Sequence, residues 1–182
     1  MTTNMAGLIM DAAEKRIRVA GYNGFSFRDL AADVGIKSAS IHYHFPTKAI
    51  LGAAVLRRHT DRFMQIVNTG PKAGSVKVWR EAFRRALQED GRMCLCGMLG
   101  AEVGGLPPEI VSEVRRFFES GVNSLASGLG KPSPSNRATA FRVLATLEGA
   151  MLLARVSDDS AVFDQATEGL DGGLSHRGNR VS

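Results

Sequence analysis

The stretch Phe25-Ser26-Phe27-Arg28-Asp29-Leu30-Ala31-Ala32-Asp33-Val34-Gly35-Ile36-Lys37-Ser38-Ala39-Ser40-Ile41-His42-Tyr43-His44-Phe45-Pro46-Thr47-Lys48 reads as two short helices around one tight turn. Ser26 has the side chain to cap a helix over 27–34, in which Leu30, Ala31 and Val34 share an inner face. Gly35 breaks that helix. A second helix, 38–45, takes Ser38 as its cap and is anchored by Ile41 and Phe45, four residues apart. Lys37, Ala39, Ser40, His42 and Tyr43 are then left outward. Pro46 forbids continuation, and Thr47 caps a further helix that begins at Lys48.

Upstream, Ile9, Met10, Ala13, Ile17 and Ala20 recur at helical spacing, so 4–20 reads as an amphipathic helix that buries one stripe. Gly21-Tyr22-Asn23-Gly24 is strong turn chemistry and ends it. A longer helix bracing two short ones across a glycine turn is the helix-turn-helix arrangement, whose second helix enters the DNA major groove. Small side chains at Ala39 and Ser40 permit close approach to base edges, and longer polar ones reach phosphates. The expected DNA-facing set is Arg28, Lys37, Ser38, Ala39, Ser40, His42, Tyr43, His44, Thr47 and Lys48. Lys48, beside a helix N-terminus, is expected to clamp a phosphate.

Charge agrees in its distribution. The chain of 182 residues carries a net charge of +5. Residues 1–60 hold eight Lys/Arg against four acids, whereas the remainder is nearly balanced. Positive potential gathered on one segment attracts a polyanion; the same charge spread evenly does not.

The residues quoted above resemble the DNA-binding signature of the tetracycline-repressor (TetR) family of bacterial regulators. Leu30-Ala31, Val34-Gly35-Ile36 and His44-Phe45-Pro46-Thr47-Lys48 match it in order and spacing without a gap. His42 stands where the family usually has Tyr, Lys37 where a capping Ser or Thr is common, and Ala39 where Gly or another small residue is usual. The resemblance is strongest over 5–55. It implies a homodimeric repressor of a palindromic DNA operator, with a helical domain behind the reading head that binds a small inducer and dimerises.

The remaining residues fit an all-α architecture of about nine helices: a helix-turn-helix domain over 1–50, a ligand-binding and dimerisation domain over 51–170, and a flexible tail over 171–182. Helical patterns run from Leu51 to the break at Asn68-Thr69-Gly70-Pro71, over 76–88, from Glu109, over 136–156 and over 160–170. The segment 94–103 is apolar nearly all round and is expected to be a buried helix. Small residues on 136–156, notably Ala145, Gly149, Ala150 and Ala154 with Leu152, suit a close-packed dimer face. The resemblance implies the same, because the last two helices of such regulators usually pair with a partner's.

Trp79, Phe83, Met98, Phe117, Phe118, Leu147 and Met151 are candidates to line an apolar ligand pocket. Glu102, like Glu148, is an acid among apolar neighbours and so either anchors a ligand or bonds an arginine at a dimer interface. Cys94 and Cys96 are too close in sequence for an easy disulfide. They form no framework, and they fit a reducing cytoplasm. A second possibility is that a thiol near Arg92 senses oxidants or electrophiles. No metal set or cofactor motif is expected, the histidines 42, 44 and 59 lying elsewhere along the chain.

An enzyme would need a nucleophile with its base, a metal set or a phosphate cradle. The nearest approach, Gly128-Leu129-Gly130-Lys131, fails as a phosphate loop because Leu125 replaces its first glycine and Pro132 its hydroxyl residue. A helical thiol redox enzyme and an interaction protein without DNA binding are the rival classes. No uncharged run is long enough to cross a membrane, and the first residues lack the pattern of an export signal, so the expected site of action is the cytoplasm.

Overall fold

The computed structural model describes residues 4–90 and 93–171, with Glu89 and Asp90 described in backbone only. All regular structure among them is helical: α1 (Met5–Ala20), α2 (Phe27–Val34), α3 (Ser38–His44), α4 (Lys48–Val67), α5 (Val76–Asp90), α6 (Leu95–Ala101), α7 (Pro108–Gly128), α8 (Pro134–Val156) and α9 (Ala161–Ala166). Short 3₁₀ turns lie at Tyr22–Gly24 and Val103–Gly105. The expected tail lies outside the described residues, apart from Asp171.

Packing groups the chain into two compact units. One holds the residues up to Arg62 together with Cys94–Phe118, and the other holds Phe63–Met93 with the residues from Glu119 onward. This division differs from a cut near residue 50, because most of α4, all of α6 and the start of α7 pack with the helix-turn-helix.

In the first unit, Ile9, Ala13 and Ile17 of α1 are fully buried with Leu30 of α2, Ile41 of α3 and Leu51, Val55 and Leu56 of α4. Gly21 closes α1 with φ 72° and ψ −171°, a backbone region that is essentially glycine's alone. The amide of Tyr22 donates to Glu102 Oε2 at 3.0 Å. A Cβ at Gly21 would fall on the Glu102 carboxylate, so the missing side chain is what admits the acid. Glu102 is thereby a structural acceptor for main chain. α6 is shorter than the apolar run suggested and is not buried all round: Leu95, Cys96 and Leu99 are inside, whereas Ala101 and Val103 are exposed.

In the second unit, Phe63, Trp79 and Phe83 pack ring against ring, with centroids 5.2 Å apart for Phe63–Trp79 and 5.6 Å for Phe63–Phe83. The Trp79 indole N–H donates to Ser124 Oγ at 3.2 Å, which satisfies its one polar atom inside the core. α8 starts two residues before the expected Asn136. Ser133 accepts from the amide of Asn136, and Pro134 occupies the first turn, where its missing N–H costs nothing. α9 is shorter than 160–170; Thr167 Oγ1 turns back onto the Phe163 carbonyl and accepts from Arg80 Nε, and the helix stops before it.

Candidate nucleic-acid interface

Local chemistry builds α2 and α3 as the sequence reads. Ser26 accepts from the amide of Asp29 at 3.3 Å, and Asp29 Oδ2 accepts from the amide of Ser26 at 2.8 Å, a reciprocal cap. The hydrogen bonds from Ser26 hold the Asp29 carboxyl below the usual carboxylate range. Gly35 takes the left-handed conformation at φ 74°, and the amide of Ile36 returns to the Ala31 carbonyl at 2.9 Å. The cap of α3 lies one residue before the expected Ser38: Lys37 sits at the N-cap with no side-chain bond, and Ser38 is the first helical residue. The amide of Phe45 closes the far end on the Ile41 carbonyl at 2.7 Å.

This frame presents one face of α3 to solvent. Ile41 is fully buried and Phe45 is 7% exposed, whereas Ala39, Ser40, His42 and Tyr43 are exposed, Tyr43 at 85%. Lys37, Arg28 and Thr47 are also exposed, and Ser38 and His44 are half-buried. Thr47 accepts from the amide of Ile50 at 3.2 Å, so its hydroxyl caps α4. The His42 ring lies edge-on to Phe27 with centroids 4.7 Å apart, which fixes its direction from the α2 side. Arg16 of α1 grips Asp33 of α2 with a forked ion pair, Nη2 to Oδ1 at 2.8 Å, and holds that carboxyl below its ordinary range.

Lys48 is placed differently from the rest. Its ammonium donates to the Phe25 carbonyl at 2.6 Å and sits over the rings of Tyr22 and Phe25, 4.7 and 4.4 Å from their centroids. Burial lowers its pKa. The side chain ties the start of α4 to the turn before α2.

The candidate ligand residues fall into the packing of both units. Trp79, Phe83, Leu147 and Met151 are at most 1% exposed in the second unit, and Phe117 is fully buried in the first, while Met98 and Phe118 are half-buried. A surface depression of about 620 Å³ between the end of α7 and the start of α8 has Asn123, Pro132 and Arg137 among its walls and none of the candidate ligand residues.

On α8, Ala150 and Ala154 are 2% exposed and point into their own core. The opposite side is an uncovered apolar stripe. Phe141 is 52% exposed, Leu152 50%, Leu153 55% and Val156 78%. Ala145 is exposed among them, and a Cβ at Gly149 would meet nothing within 4 Å.

Both cysteines are buried and free of disulfide. The structure brings to Cys94 a residue that the sequence had set apart, since His59 of α4 hydrogen-bonds its thiol. His59 Nδ1 also lies 3.2 Å from Glu14 Oε1 on α1. Cys96 and burial push the Cys94 thiol up, His59 pulling the other way. Glu14 borders the buried stripe of α1, the one signal in the sequence that an acid would be taken inside; nothing in spacing links residues 14, 59 and 94. Among the described residues no group of three or more His, Cys, Asp or Glu is placed to hold a metal ion, and no described helix is long and apolar enough to cross a membrane.

Residues 9–55 match the family model of bacterial regulatory proteins, tetR family. Among solved structures, a TetR transcriptional regulator from Legionella pneumophila is 33% identical with a TM-score of 0.85, the match covering 94% of this chain and 98% of that one. A TetR-family regulator from Agrobacterium tumefaciens is 28% identical with a TM-score of 0.81, covering 91% and 94%. A regulatory protein TetR from Rhodobacter sphaeroides, at 20% identity and a TM-score of 0.78 over 91% and 96%, shares the fold. No curated protein matches the sequence.

Proposed function

The chain belongs to the TetR family of DNA-binding bacterial transcriptional regulators, and from that premise we propose that it is a repressor that binds a palindromic operator as a homodimer and releases it when a small molecule binds. The observation that carries this reading is the exposed face of α3. Ala39 and Ser40 are small enough to let the helix reach base edges, and Lys37, His42 and Tyr43 flank them with groups that bond phosphates or bases. Arg28, Ser38, His44 and Thr47 lie on the same two helices or just beyond them and complete the DNA-facing set. Lys48 acts from behind, positioning the turn that carries α2.

The α8 stripe of Phe141, Ala145, Gly149, Leu152 and Val156 is the proposed contact with a second copy. A two-fold axis places two α3 helices in successive major grooves, roughly 34–36 Å apart. Ligand binding then favours a conformation in which that spacing is wrong. Such a protein works where the chromosome is, in the cytoplasm. Selection of bound sequences from a random duplex pool at near-physiological salt tests the reading. Recovery of one palindrome, bound as a dimer with affinity falling steeply with salt, is expected. Binding without a motif refutes it. Substitution of Ser40 or Lys37 is expected to change the recovered sequence.

A further inference from the structure

The depression between the end of α7 and the start of α8 is walled entirely by residues of the second unit, none of which the regulator reading uses. One wall is the last turns of α7, with Asn123, Ala126 and Ser127. The other is the following loop and the first turn of α8, with Pro132, Ser133, Pro134 and Arg137. Hydrogen bonds set the shape of that loop. Gly130 turns the chain out of α7 at φ 120°, its amide on the Ser127 carbonyl at 3.2 Å. Asn136 holds the return twice over: its amide donates to Ser133 Oγ at 3.1 Å and its side chain donates to the Lys131 carbonyl at 2.9 Å. The two prolines fix φ between those bonds. A wall so held needs little ordering when a ligand arrives.

Arg137 is held as firmly. Its Nη1 donates to Asn123 Oδ1 at 3.0 Å, which joins the two walls, and its guanidinium lies over the Phe141 ring, 5.3 Å from the centroid. Among the described residues no carboxylate pairs with it, whereas Arg57, Arg84 and Arg116 each grip an acid. A guanidinium that gives one N–H to an amide oxygen keeps the rest for a carboxylate, which it takes by two parallel hydrogen bonds. Arg137 is also the one charge among the lining residues, with Ala126, Pro132 and Pro134 as apolar surface beside it. A single positive group above apolar walls fits a monoanion with an apolar body. A phosphate or nucleotide, with more charge than one guanidinium neutralises, fits it poorly. The C–H groups of the prolines suit the electron-rich face of an aromatic ring. The volume, about 620 Å³, is that of a small-molecule site.

We propose that this depression binds an aromatic monocarboxylate, Arg137 taking the carboxylate and the aromatic body resting on Ala126, Pro132 and Pro134. Ser133, which accepts from Asn136, keeps its own hydroxyl hydrogen to donate to the ligand. The site goes beyond the regulator reading and does not depend on it, since its occupancy is measured without DNA.

The test titrates the full chain, isotopically labelled, with naphthoate, with the uncharged naphthamide and with inorganic phosphate, and follows backbone amide shifts by NMR. Saturable binding of naphthoate is expected, with the largest shifts at Asn123, Ser127 and Arg137. Naphthamide and phosphate should each bind more weakly by about tenfold or more. Arg137→Gln should lower naphthoate affinity by about tenfold or more, and Arg137→Lys should restore only part of it, because an ammonium keeps the charge but not the planar fork. Ser127→Phe, at an exposed position of α7, fills the groove and should abolish binding with the charge still in place. Largest shifts at Trp79, Phe83 and Met151 would put the ligand in the core and overturn the site. Naphthamide binding as tightly as naphthoate would leave an apolar groove without charge recognition, and phosphate binding as tightly would leave an adventitious ion only; either overturns the ligand class. Naphthoate binding that survives Arg137→Gln, or no saturable binding at all, overturns the proposal outright.

Discussion

Raising the pH through 9 should loosen the first unit, and the residue responsible is His59. Burial alone would lower the pKa of this ring, but its hydrogen bonds to Cys94 and Glu14 outweigh burial and bring it from 6.5 to about 9. The groups that act on it are Glu14 on α1 and Cys94, and Glu14 in turn feels Arg58 and Arg18. A gap of about 2.5 pH units corresponds to roughly 3 kcal/mol of folding stability. Because the folded pKa is the raised one, that stability is complete below about pH 6.5, largely kept at pH 7, and lost as pH climbs through 9. Other groups titrate at alkaline pH too, so the informative quantity is a difference. Urea denaturation of the native chain and of His59→Gln at pH 7 and pH 10 should show the native chain losing about 2–3 kcal/mol more than the variant over that interval. Equal losses would mean that His59 is neutral at pH 7 and that the ion pair with Glu14 does not exist in solution.

Lys48→Met keeps the apolar stem but leaves the Phe25 carbonyl without its donor, which should cost about 1–2 kcal/mol and lower the thermal midpoint by a few degrees. The salt dependence of DNA affinity should stay as it was; a slope reduced by about one per protomer would assign the ammonium to a phosphate instead. Leu152→Asp places a charge in the middle of the exposed α8 stripe and should give a monomer in sedimentation with fold intact and operator affinity reduced at least tenfold. A dimer that survives the substitution places the interface elsewhere.

The reading head was legible because everything that makes it is local. Ser26, Asp29 and Gly35 start and stop α2 through contacts no more than five residues long, and Ile41 and Phe45 set the inner side of α3 by helical period alone. The apolar run over 94–103 misled for the opposite reason. At the end of α6, Glu102 accepts from the amide of Tyr22 across eighty residues of sequence, and no periodicity reports such a bond. Aromatic residues such as Trp79 and Phe83 look the same in sequence whether they line a cavity or fill one; here they stack on each other and on Phe63. Ala150 and Ala154 share small size with Ala145 and Gly149 but not their side of α8, a distinction of 100° per residue that composition does not contain. The meeting of Glu14, His59 and Cys94 depends wholly on how α1, α4 and α6 pack.

The contact between Gly21 and Glu102 is written in the sequence as an absence. A hydrogen atom at position 21 is what lets a carboxylate from far along the chain reach the main chain of Tyr22, so the two positions behave as a lock and the blank cut for it. Any related chain that carries a side chain at the first position must give up the acid at the second, and with it the tie between the end of α6 and the turn after α1. Comparing that one pair of positions across relatives would sort those that link these two elements in this way from those that do so by other means.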